Sequence, residues 1–208
     1  ISCLYAMKAL KDAGYEPECT IRLIIGLDEE THWKGINYYF EHEPKPDFGF
    51  TPDADFPVIN GEKGMLIFDF AKKFTQAQTQ SKGLQLRSLK GGTAPNSVAD
   101  SCRVVVRSGE DGAYDKIKEM VSAYREETGY KLNVKGVGKS LEITATGIAA
   151  HGAKPEKGLN DISIMMDFLG RLNFVCEDHN EFIEFYNKYI GFCLDGYKIG
   201  VDCTDEPS

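Results

Sequence analysis

Residues Tyr130–Gly147 read "YKLNVKGVGKSLEITATG", and the architecture turns on what the "GVGKS" inside that stretch is. A phosphate-binding loop would need its first glycine at position 133 and a helix after the serine. Position 133 is Asn133, and "LEITATG" alternates apolar and polar residues as a half-exposed strand does. The stretch therefore predicts two strands joined by a Gly-containing turn.

Working outward, "SCRVVVRSG" (101–109) reads as another strand, followed by an amphipathic helix from about Tyr114 to Glu127. Upstream, "LQLRSLKGG" (84–92) and "MLIFDFAKKF" (65–74) read as strands with partial alternation. Downstream, the loop "IAAHGAKPEKG" (148–158) leads into a helix around Asp161 to Leu172. From about residue 70 the order is ββαββα, an α+β sandwich with helices on one face of a sheet.

The first part has a different rhythm. Leu4, Met7 and Leu10 fall at helical spacing, with Gly14 as a stop. "CTIRLIIGL" (19–27) is nearly continuous in apolar residues, the mark of a strand buried on both faces. A helix is predicted over "WKGINYYFEHE" (33–43), and prolines keep "PKPDFGFTPDADFPV" (44–58) extended. Helix, buried strand, helix, extended segment predicts a parallel α/β sheet. The polar "AQTQSKG" (77–83) breaks the periodicity and divides the chain into 1–75 and 76–208.

Of the 208 residues 42% are apolar and 27% charged, and the net charge is −8. That balance speaks against nucleic acid and anionic membranes as partners, since both call for clustered Lys and Arg. No apolar stretch has the length of a membrane span. The six cysteines show no C-x-x-C spacing and read as scattered thiols of a reducing compartment, which predicts a cytoplasmic protein. The helical pattern is already under way at the first residues, and "VDCTDEPS" (201–208) stops on a strand running into a turn. An internal fragment is expected.

Four places could carry chemistry. Asp28, Glu29 and Glu30 follow the carboxyl end of the predicted strand, where sites collect in α/β sheets. Acids there also cap helix N-termini, and taken alone that is the commoner role. Two adjacent glutamates offer more: one carboxylate can bind a metal while its neighbour takes a proton from water. Asp53 sits in a Pro-flanked loop, and taken alone a turn residue is the commoner reading there. His151 lies in a loop with two glycines that would hold it exposed. Asn96, in "KGGTAPN" (90–96), could present an amide to a substrate.

Four stretches in this order, "GLDEETHWKGINYYFEHE", "PDFGFTPDADFPVINGEKG", "GGTAPNSVAD" and "ATGIAAHGAKPEKGLNDI", resemble the PepV-type dipeptidases. These belong to the dinuclear-zinc peptidase and deacylase family that includes aminoacylase, acetylornithine deacetylase, succinyl-diaminopimelate desuccinylase and carboxypeptidase G. The resemblance implies part of a zinc-exopeptidase-like domain with a parallel or mixed sheet over 1–75. A ferredoxin-like α+β lid would follow over 76–208. It implies a dipeptide substrate and two Zn2+ per complete catalytic domain. Glu29 would be the general base, Glu30 and Asp53 zinc ligands, His151 the donor that holds the oxyanion, and Asn96 a substrate contact. The family's upstream His-x-Asp, its zinc-bridging Asp and its ligand His near the C-terminus are not in this chain, so the fragment alone is expected to be inactive. "FPVINGEKG" favours the dipeptidase branch over an N-acyl amino acid deacylase. The lid fold also mediates dimerisation in the family. A non-catalytic module that binds or self-associates through the lid is therefore the reading from another class.

Overall fold

The computed structural model describes residues 1–29, 32–53, 59, 61, 64–74 and 82–202. The chain divides into two compact units, Ile1–Val58 and Ile59–Ser208. Most of the expected linker, 77–83, lies outside the described residues.

The first unit holds two helices, α1 (Ser2–Asp12) and α2 (Lys34–His42), both where the spacing predicts them. The parallel sheet expected here is not formed among the described residues. Residues 20–26 run without a partner strand, and Ile25 and Leu27 are 77% and 90% exposed. The physical reason is that an apolar run buried on both faces needs strands beside it and helices over it. The described residues of this unit supply helices and no second strand, and none of them is buried.

The second unit carries the core. Its elements are β1 (Gln85–Gly91), β2 (Ser101–Arg107), α3 (Ala113–Thr128), β3 (Lys131–Val137), β4 (Ser140–Thr146), α4 (Asp161–Leu169) and α5 (Glu177–Tyr189). The ββαββα order holds from residue 85, and the GVGKS segment is the hairpin turn. Val137 pairs with Ser140 across it, and Gly138 has φ 57°, as tight hairpin turns require. The sheet order is β1-β2-β4-β3 with every neighbouring pair antiparallel. β2 and β3 consequently run parallel with β4 between them, a split βαβ arrangement joined through α3.

Side chains alternate across the sheet. On one face Cys102, Val104 and Val106 pair in register with Ala145, Ile143 and Leu141, all buried against the helices. On the other face Glu142 is flanked by Lys135 (2.9 Å) and Arg103 (3.3 Å). α4, "DISIMMDFL", buries Ile164, Met165, Met166, Phe168 and Leu169 because it packs on the sheet and on α5 at once. Buried Tyr124 of α3 donates to Asp167 of α4 at 2.8 Å, tying two helices through one hydroxyl.

The strand expected over 65–74 is absent. Its aromatic residues pack on α5 instead, with Phe70 edge-on to Phe185 and Phe74 edge-on to His179. Lys72 forms ion pairs with Asp178 and Glu181 of that helix. No helix among the described residues is long and apolar enough to cross a membrane.

Candidate functional site

In the first unit the three acids part company. Asp28 turns back on α2 and accepts from the Lys34 and Gly35 amides at 2.8 and 3.0 Å. Those hydrogen bonds, Gly35 first, hold its carboxyl below the usual range. Asp28 is therefore the capping residue, and Trp33 in the left-handed conformation (φ 57°) makes the tight entry into the helix. Glu29 is exposed and takes no part in the cap. Glu30 lies outside the described residues. Asp53 is exposed in an extended segment. Among the described residues no group of three or more His, Cys, Asp or Glu is placed to hold a metal ion. His42 is engaged locally, its ring stacked on Tyr38 at 4.1 Å and its Nδ1 2.8 Å from the Tyr38 carbonyl. The donors described here do not by themselves fit zinc, which takes three or four N, S or O ligands.

In the second unit the structure brings Asn96 and His151 together, although 55 positions separate them. Ser97 and His151 form an antiparallel bridge. Gly152 donates to the Asn96 carbonyl at 2.7 Å and Val98 to the Ala150 carbonyl at 2.8 Å. A side chain at Gly152 would meet the Asn96 carbonyl at 2.9 Å, so glycine there permits the close approach. Within the turn, the Lys154 amide donates to the His151 carbonyl at 2.8 Å, and the Ala153 amide donates to His151 Nδ1 at 3.1 Å. His151 itself is exposed. Two loops that are remote in the chain are thus held together through their backbones, with His151 opposite Ser97 and Gly152 opposite Asn96.

Behind them the chain crosses itself tightly. Ile148 and Leu159 form a second bridge, and the Asp161 amide donates to the Ala99 carbonyl at 3.1 Å. A Cβ on Gly147 would sit 2.0 Å from the Leu159 carbonyl oxygen, so no side chain fits there. Asn160 caps α4 through its side chain, accepting from Ile162 at 3.0 Å.

The next residue, Asp161, is one that sequence reasoning missed. It is fully buried, and neither carboxylate oxygen has a hydrogen-bond partner among the described residues. Burial first, and then the Asp100 carboxylate, push its pKa up to about 6. Cys102 and Tyr186, whose own pKa values are raised chiefly by burial, share this environment. A carboxyl raised in the folded state contributes stability that is complete below the ordinary value near 4 and is lost as pH rises through about 6. Asp161→Asn is therefore expected to exceed the wild type in stability at pH 7.5 by ~2–3 kcal/mol, the worth of a two-unit shift. The difference should shrink toward pH 4. Urea unfolding at the two pH values checks this, and a gap that does not change with pH contradicts it.

α5 was missed as well. Its first turn places His179 in the core between Phe74 and Phe174, with Nδ1 lacking a partner among the described residues. Burial lowers the pKa of that imidazole. Phe182, Ile183 and Tyr186 at helical spacing were a usable signal for this helix.

Comparison with known proteins adds the family. The chain is 33% identical over 218 residues to the Beta-Ala-Xaa dipeptidase of Lactobacillus delbrueckii subsp. lactis, covering 100% of this chain and 44% of that protein. A Bacillus subtilis protein, YtjP, and a Staphylococcus haemolyticus protein, SH1171, both carry provisional dipeptidase names. Identity to YtjP is 29%, covering 100% of this chain and 44% of that one. Identity to SH1171 is 33%, covering 97% and 42%. The chain thus spans less than half the length of these relatives. The model of Peptidase family M20/M25/M40 matches residues 1–198, nearly the whole sequence and both compact units, and the chain belongs to that family.

Proposed function

We propose that the parent protein is a zinc metallodipeptidase that hydrolyses the peptide bond of dipeptides. The observation that carries this reading is similarity along the whole chain to proteins with dipeptidase names, through both the acid-bearing and the histidine-bearing loops. Residues 1–75 are then part of the catalytic α/β domain and 76–208 the first part of a lid. The split βαβ order supports a ferredoxin-like reading of that lid. A soluble cytoplasmic setting accords with this reading.

When bound, two zinc ions in the parent would supply an activated water, with Glu30 and Asp53 among their ligands. Glu29, exposed and free of the capping role that Asp28 fills, accepts the proton of the attacking water and passes it to the leaving amine. His151 donates a hydrogen bond to the oxygen on which negative charge develops. Asn96, bridged to the same turn, contacts the substrate.

This reading also predicts what the 208-residue chain does alone. After dialysis it is expected to retain no stoichiometric zinc and to hydrolyse no dipeptide, because the histidine ligands and the bridging carboxylate that the family resemblance implies are not among its 208 residues. Metal analysis of the purified chain checks this. Two tightly held zincs would contradict it and would bring in His32 or His42 as ligands.

A further inference from the structure

His151 is held by a contact that decides which of its nitrogens carries the proton. The Ala153 amide donates to Nδ1 at 3.1 Å. A backbone N–H can only donate, so Nδ1 is the acceptor, and the neutral ring keeps its single proton on Nε2. The turn that aims the Ala153 amide is fixed on both sides. Lys154 donates to the His151 carbonyl, and the Ser97 bridge with the Gly152–Asn96 hydrogen bond holds the other edge.

We propose that the Ala153 backbone amide is a positioning group that locks His151 as its Nε2–H tautomer, so that the ring offers a hydrogen-bond donor and not a lone pair. The inference rests on the oxyanion role proposed for His151. An Nδ1–H ring would turn the Nε2 lone pair toward a developing negative charge and repel it. With the lock in place a neutral imidazole serves, and no extra proton is required for the donor to exist.

The test reads the tautomer directly. Long-range proton–nitrogen NMR on the 208-residue chain at about pH 8.5, where an ordinary imidazole is neutral, should find Nδ1 bare and Nε2 protonated. His151→Gln identifies the signal among the four histidines. Ala153→Pro removes the donor and should shift the ratio toward Nδ1–H by ~2- to 10-fold, the equilibrium equivalent of one net hydrogen bond. A wild-type ring protonated on Nδ1 overturns the proposal, as does a folded Ala153→Pro chain with an unchanged ratio. If Ala153→Pro does not fold, the comparison with free histidine decides, since the free residue already favours Nε2–H several-fold: a wild-type preference no greater than that overturns the proposal. In the full-length parent, Gln at 151 places its amide nitrogen near the Nε2 position, and Asn near Nδ1. Both variants should lower kcat, His151→Asn by ~10²–10³, the usual cost of one oxyanion donor, and His151→Gln by less than His151→Asn. The opposite order overturns the lock. A parent with no dipeptidase activity would remove the functional reading, and the tautomer ratio would still be measured.

Discussion

Glu29→Gln in the full-length parent is expected to lower turnover by ~10²–10⁴, the typical worth of a general base, while both metals stay bound. Gln keeps the shape of the side chain and loses the proton acceptor. The local structure makes this a clean substitution. The α2 cap belongs to Asp28, whose carboxylate takes the Lys34 and Gly35 amides, and Glu29 stands exposed beside it. Helix stability should therefore not change, and a lost rate can be assigned to chemistry. Glu30→Gln should instead loosen one zinc. Metal content and kcat measured on the same preparations separate the two roles. If Glu29→Gln lost metal and Glu30→Gln kept it with no turnover, the assignment within the pair would be reversed.

His151→Ala in the parent is expected to lower kcat by ~10²–10³ with KM little changed and zinc content unaffected. A donor to the oxyanion acts more strongly in the transition state than in the ground state, so its loss appears in kcat. The alternative is that His151 only shapes the lid. Most bonds that hold its turn are main-chain bonds from Gly152, Val98 and Lys154, and these survive removal of the ring. Among the described residues, only the Ala153 amide bonds to the ring itself. A purely structural histidine would thus show a lowered Tm with near-normal kcat in the folded enzyme. Thermal unfolding and steady-state kinetics on one sample distinguish the two, and near-normal turnover would remove His151 from the catalytic machinery.

The elements legible in the sequence are those whose pattern is closed within the chain. β2, β3 and β4 alternate apolar and polar residues because one face meets helices and the other water, and Gly138 marks the turn between two of them. α3 is legible because one stripe, Ile117, Val121 and Tyr124, is buried, while Asp, Glu, Lys and Arg fill much of the rest. The run Cys19–Leu27 shows the limit of such reasoning. Its composition states a demand for burial on both faces, but cannot state which strands would satisfy it, and the described residues supply none. Residues 65–74 carry alternating aromatics that a sheet or a helix face can accept, and α5 takes them. That helix opens on Cys176 with no side-chain cap, so its start lacks the capping residue that marks a helix in sequence. Asp161 was passed over because an acid after an Asn cap looks like a residue complementing the helix dipole. Only the packing reveals that its oxygens are enclosed. Asn96 and His151 could be chosen from the sequence, but their adjacency depends on bridges between distant loops.

The central claim, that the parent cleaves dipeptides with metal assistance, meets its most direct test in one assay on the full-length protein. Hydrolysis of a dipeptide panel, β-alanyl dipeptides included, and of N-acetyl amino acids would be followed before chelation, after chelation, and after zinc is restored. The account predicts turnover of dipeptides ahead of acetylated amino acids, loss of that turnover on chelation, and recovery with Zn2+. Dipeptide hydrolysis that persists in the metal-free protein, or faster cleavage of acetylated amino acids, would contradict it.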